Sequence, residues 1–202
     1  MYLDNTKEVT MSSTLFIILG FSIIFVMTTL GALCVYFLKK PSTFVNMLTI
    51  GFASGIMLSA SIWSLLIPSI EYSEEQYQDL FILPVAVGFL LGGMFMVLLD
   101  KITGHFSNLK KDKGKNKAFK LFTAVTVHNI PEGLAVGFAF GSAFATSSPM
   151  FSAFLIALGI ALQNFPEGLA VALPMHKTLN NKHKAFLYGT ASGIVEPIFA
   201  IL

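Results

Sequence analysis

The sequence predicts an all-α membrane protein, a polytopic bundle of about six transmembrane helices. Composition is the first reason. The chain of 202 residues is 54% hydrophobic and only 12% charged, with a mean hydropathy of +0.74, more apolar surface than a soluble domain of this size needs. The second reason is that apolar runs of membrane-spanning length recur along it. The third is that two of these runs carry the same polar interruption, an asparagine, a proline and a glutamate in fixed order.

A helix needs about 20 apolar residues to cross a bilayer. Six runs meet or approach this, at 12–38, 44–70, 80–103, 118–142, 149–175 and 185–202. The segment before the first run has no basic stretch, and the run is too long for a signal-peptide core, so it reads as a true span. Cys34 is the only cysteine and cannot form an internal disulfide, so it is assigned to packing. The connections alternate in charge. Lys39 and Lys40 follow the first run; Glu71, Glu74, Glu75 and Asp79 follow the second. Lysines cluster around the third connection and recur in the fifth. All 13 basic residues are lysines, and twelve of them fall on one side of the bundle. That side is therefore cytoplasmic and the N-terminus outside, as in a plasma membrane, with a bacterial inner membrane suggested by the short loops. Residues 1–202 read as one transmembrane domain, expected to be incomplete at its C-terminal end. Residues 104–117 read as a Lys-rich cytoplasmic loop.

The fourth and fifth runs carry the duplicated motif. It reads H-N-I-P-E-G-L-A-V-G at 128–137 and Q-N-F-P-E-G-L-A-V-A at 163–172. Seven of nine positions from Asn129 and Asn164 onward are identical, the acid included. The two spans are consecutive and antiparallel, so the copies meet at similar depth about a rough two-fold axis in the membrane plane. Inverted repeats with Pro-interrupted helices are a transporter feature. Helical spacing projects His128, Asn129 and Glu132 from one face, and Gln163, Asn164 and Glu167 from another. Pro131 and Pro166 each remove a backbone hydrogen bond. Gly133 and Gly168 allow another helix to approach closely.

Ionisable groups within a span are costly, at roughly 2.5–3.5 kcal/mol on insertion scales. Facing carboxylates are most cheaply reconciled by a cation. Imidazole, amide and carboxylate without thiolate suit zinc, with cadmium, iron and manganese as further candidates. Glu196, in S-G-I-V-E-P, is a third acid beside a proline in an apolar run. The three glutamates carry a formal charge of −3, which one divalent ion reduces to −1 and two bring to +1. An ion-free cluster favours taking up protons, so metal loading should release them. Asp100, at the inner end of the third span, is a softer pathway candidate; a local pairing with Lys101 is its plain alternative.

These residues resemble the ZIP (Zrt-, Irt-like) divalent metal transporters. The two P-E-G segments are similar to the signature helices of that family, and S-G-I-V-E-P to its next helix. The segment from Met57 to Glu71, M-L-S-A-S-I-W-S-L-L-I-P-S-I-E, is similar to the prokaryotic GufA-like branch. The resemblance implies eight spans, of which about six are present, and a two-metal centre midway through the membrane. His128, Glu132, Gln163 and Glu167 match the first site. Asn129, Glu132, Asn164, Glu167 and Glu196 match the second, with Glu132 and Glu167 bridging. Asn164 stands where some relatives have Asp. Met57, Ser64 and Glu71 match positions along the outer approach. Such proteins move ions toward the cytoplasm by alternating access, often as homodimers.

The function expected is metal import without chemical catalysis. No G-x-x-x-x-G-K-S/T motif is present, so no nucleotide is expected to drive it, and nucleic acid is not an expected partner. The alternatives are a membrane-embedded metallohydrolase, disfavoured by the lack of H-E-x-x-H, and a truncated, non-transporting metal-binding subunit or sensor.

Overall fold

The structure, a computed structural model, describes residues 2–38, 43–107 and 113–202. It is a helical membrane bundle, with no strand among the described residues. Its helices are α1 (Tyr2–Leu33), α2 (Thr43–Ala60), α3 (Ile67–Tyr77), α4 (Ile82–Ser107), α5 (Lys113–Ala145), α6 (Met150–Leu179), α7 (Lys182–Gly193) and α8 (Val195–Ala200). Among the described residues, four segments are long and apolar enough to cross a membrane: Ser13–Tyr36, Met47–Leu80, Ile82–Leu99 and Met150–Leu179. Of the other two expected spans, α5 is more polar because it carries lysines and much of the site, and the last is divided into α7 and α8, each too short to cross alone.

Three details differ from the sequence reading. The acidic connection after the second span is not a loop. A wide π-helical turn at Ser61–Leu66 joins α2 to α3, and winding continues through Glu71, Glu74 and Glu75 to Tyr77. Pro68 enters near the start of α3, where its missing N–H is tolerated. The sixth span is also broken, at Ile194. Pro197 has no N–H for the carbonyl four residues back, at Gly193, where α7 ends. Helical winding reaches into the Lys-rich connection from both sides, to Ser107 and from Lys113, and residues 108–112 lie outside the described residues.

α6 is the axis of the bundle. It packs against α1, α2, α5 and α7, and 56% of its apolar window is buried, against none of α4's. α4 leaves Phe89, Leu90, Met94 and Leu98 exposed, as an apolar solvent allows, whereas α6 presents its face to other helices.

Two apolar cores fill the bundle. One joins Ile24 of α1, Val136 and Phe140 of α5, and Ala157 and Ile160 of α6. The other joins Ala32 of α1, Ala118 of α5, Leu169 to Met175 of α6 and Ala185 of α7. The order along the chain shows that α1 and α6 run one way while α5 runs the other. Between the cores lie the buried polar residues Thr28, Asn129, Gln163, Asn164, Glu167, Ser192 and Glu196.

Candidate metal centre

The polar layer is made possible by close helix crossings. A methyl group on Gly133 would fall 2.9 Å from Glu196 Cα and 3.0 Å from its carbonyl carbon. One on Gly168 would fall 2.9 Å from the Thr28 carbonyl carbon and 3.0 Å from Ala32 N. The glycine of each P-E-G copy thus seats a different neighbour, α8 against α5 and α1 against α6. Pro131 and Pro166 lie inside otherwise continuous helices one residue before the glutamates.

The side chains converge as the spacing suggests. His128, Glu132 and Glu167 offer ligand atoms within 4.8 Å of one another. His128 Nε2 stands 3.5 Å from Glu132 Oε1. Gln163 Nε2 donates to the same oxygen across the α5–α6 contact. Asn129 Nδ2 donates to Glu196 Oε1 at 2.9 Å and to the Ser192 carbonyl at 2.9 Å. Asn164 Nδ2 donates to Glu196 Oε2 and, at 3.1 Å, to the Ile24 carbonyl. All seven residues singled out from the sequence therefore lie in one layer.

What distinguishes this layer from ordinary interhelical bonding is its surplus of acceptors. Asn129 Oδ1, Asn164 Oδ1, Glu132 Oε2 and both oxygens of Glu167 are buried without a hydrogen-bond donor. An unpaired buried polar atom costs on the order of 1–3 kcal/mol, and more if charged. Five oxygens without donors, beside an imidazole, form a set that a divalent cation would satisfy. His128 and Glu132 are unequally sheltered, with side chains 38% and 11% exposed. His128 is thus the open edge of the cluster, one turn from Glu132 toward the Lys113 end of α5.

The softer candidates do not join this group. Met57 is half-buried on α2 and Glu71 is exposed on α3. The side chains of Ser64 and Asp100 lie outside the described residues. Trp63 is exposed and borders an open groove of about 690 Å³ with Ser59, Gly159 and Leu162. Residues that the sequence reading missed are Thr28, whose hydroxyl donates to Glu196 Oε1 at 3.3 Å, and the backbone carbonyls of Ile24 and Ser192. The only available signal was the polar pair Thr28–Thr29 inside the first apolar run.

Comparison with known proteins places this arrangement. The chain is 32% identical to the zinc transporter ZIP11 of Xenopus tropicalis, over 92% of this chain and 78% of that protein. It is 30% identical to ZIP11 of Homo sapiens, over 87% and 75%. It is 35% identical to the zinc transporter GufA of Myxococcus xanthus, over 86% and 69%. No family model matches the chain. Since identities of this size extend over more than two thirds of each of these relatives, the chain belongs to the ZIP (Zrt-, Irt-like) family.

Proposed function

We propose that this protein carries divalent metal ions, zinc foremost, across the membrane toward the cytoplasm, through two adjoining ion positions in the polar layer. The observation that carries the reading is the set of buried, donor-less oxygens contributed by both copies of the motif. One ion is held by His128, Glu132, Gln163 and Glu167. A second lies against the amide oxygens of Asn129 and Asn164, with Glu132 and Glu167 shared between the two; Glu196 closes that side. Zinc accepts imidazole and carboxylate comfortably. Amides are weak ligands, which suits a cargo that must leave again.

The two apolar cores support a mechanism of alternating access. Each seals one side of the layer, and passage requires each to part in turn. His128 is the residue that would hand the ion onward, because it is the open edge and lies on the side of the Lys-rich end, which the charge rule assigns to the cytoplasm. Nothing in the layer supplies a dedicated general base apart from the ligands, so transport is favoured over hydrolysis. The relatives named zinc transporters support the choice of ion.

Uptake into proteoliposomes tests this. Saturable zinc accumulation above protein-free vesicles is expected. A folded, zinc-binding protein that accumulates none would overturn it.

A further inference from the structure

We infer that the Lys-rich end of the α4–α5 pair binds an anionic phospholipid, with Lys101 and Lys117 on the headgroup phosphate and an acyl chain along the exposed apolar face of α4. The inference concerns the membrane around the protein and is independent of what the polar layer carries.

Depth is the first observation. Ile82 and Lys101 stand 19 residues apart on α4, about 28 Å at the helical rise, close to the roughly 30 Å of a hydrocarbon core. With Ile82 at one edge of the apolar slab, Lys101 is at the other. α4 and α5 are antiparallel neighbours, separated in sequence by residues 108–112. Lys101 comes six residues before the end of α4, and Lys117 and Lys120 come four and seven after the start of α5. The three therefore share one level, where headgroups begin. Packed helix axes lie about 8–10 Å apart, a span that two lysine side chains can close on one phosphate.

The helix faces agree with this depth. On α5, Lys117, Lys120 and Ala124 form one stripe at helical spacing, and all three are exposed. The opposite side is the packed one. Ala118 is buried in the core, and Phe119 and Phe122 meet the Tyr188 ring of α7 edge-on, at 5.3 and 5.1 Å between centroids. The lysine stripe is thus turned away from the bundle. On α4, Leu91, Met94, Leu98 and Lys101 share a face. The first three are 59%, 68% and 54% exposed, and Lys101 is exposed as well. An apolar strip that ends in cations at headgroup depth is the complement of a phospholipid.

Charge selects the kind of lipid. From Asp100 to Lys120 the sequence holds seven lysines against two aspartates, a formal +5. A zwitterionic headgroup gains little there, whereas an anionic one gains about fivefold in affinity for each nearby lysine. The mechanical consequence falls on α4, whose apolar window is not buried at all. A phosphate shared by Lys101 and Lys117 ties it to α5, the helix that carries His128 and Glu132.

The test is native mass spectrometry of the purified full chain in an uncharged detergent, titrated with phosphatidylglycerol or with phosphatidylcholine of the same acyl chains, and thermal unfolding alongside. Phosphatidylglycerol should be retained about 25-fold more tightly, fivefold for each of two lysines, and should raise the unfolding temperature where phosphatidylcholine does not. Combining Lys101→Gln with Lys117→Gln should abolish both differences. Combining Lys177→Gln with Lys184→Gln removes the same charge from exposed positions in the connection after α6, and should leave both intact. Glycerol 3-phosphate, which has the phosphate without the chains, should not compete at matched concentration. Equal retention of the two lipids by the parent chain, a preference that survives in the Lys101–Lys117 variant, or its equal loss in the Lys177–Lys184 variant would overturn the site. Competition by glycerol 3-phosphate would reveal a free-phosphate site and overturn the lipid as its occupant.

Discussion

Replacing Gly168 by alanine should damage transport far more than stability. The added methyl group would lie 2.9 Å from the Thr28 carbonyl carbon, where ordinary contact begins at 3.4 Å. The obstacle is backbone, not a mobile side chain, and the Thr28 carbonyl oxygen lies nearer still than its carbon, so α1 must retreat by about 1 Å or more. The Thr28–Glu196 bond at 3.3 Å and the Asn164–Ile24 bond at 3.1 Å both cross this crossing point. A retreat of that size stretches both beyond useful length. Overpacking of this kind costs about 1–3 kcal/mol, offset by about 0.5–1 kcal/mol because alanine favours helix over glycine. The net packing cost is then no more than about 2.5 kcal/mol. Geometry matters more: a misplacement of about 1 Å can cost about 100-fold, and a loss of that order is expected in transport. The assay pairs zinc uptake in proteoliposomes with thermal unfolding, using Gly141→Ala as the control. Gly141 lies on α5 with nothing within 4 Å of the added methyl group, so this variant should transport normally and unfold no earlier. Wild-type uptake by Gly168→Ala, or equal damage in Gly141→Ala, would refute the argument that the crossing positions the site.

Other expectations follow from the same geometry. His128→Ala should reduce zinc uptake more than manganese uptake, because it removes the only imidazole and leaves oxygen ligands; equal losses would mean that His128 does not ligate. Zinc binding in weak buffer should release about one proton or more per ion, read with a pH dye, and binding without release would contradict charge exchange at the clustered carboxylates. In a Cys34→Ser background, Glu74→Cys should react with an impermeant maleimide from outside, and Lys177→Cys only after permeabilisation. Both side chains are exposed, so the reverse pattern would invert the orientation.

Much of the fold and the site was legible because membrane constraints are local. Apolar length marks spans, and the repeated N-x-P-E-G marks where buried polarity collects. Helical spacing alone put Glu132 beside His128 and Asn129. What stayed hidden was non-local. α1 is apolar nearly throughout, so nothing in its own pattern says that Thr28, and not Thr29, would face Glu196. The carbonyls of Ile24 and Ser192 have no sequence signature. The donors that reach Glu196 from three helices are likewise invisible, since each of the three glutamates is an acid near a proline. The helical continuation through Glu71 to Tyr77 was misread because acidic clusters commonly mark turns, whereas here the π-helical turn carries winding past Pro68.

The central claim is that both copies of the motif serve one pathway. A double-mutant cycle on zinc uptake tests it directly, with Glu132→Gln, Glu167→Gln and the two combined. If the carboxylates share an ion, each single change should abolish most uptake and the double variant should be no worse than either, as for groups that act as a unit. Independent, multiplying losses, or near-normal uptake in either single variant, would contradict the account.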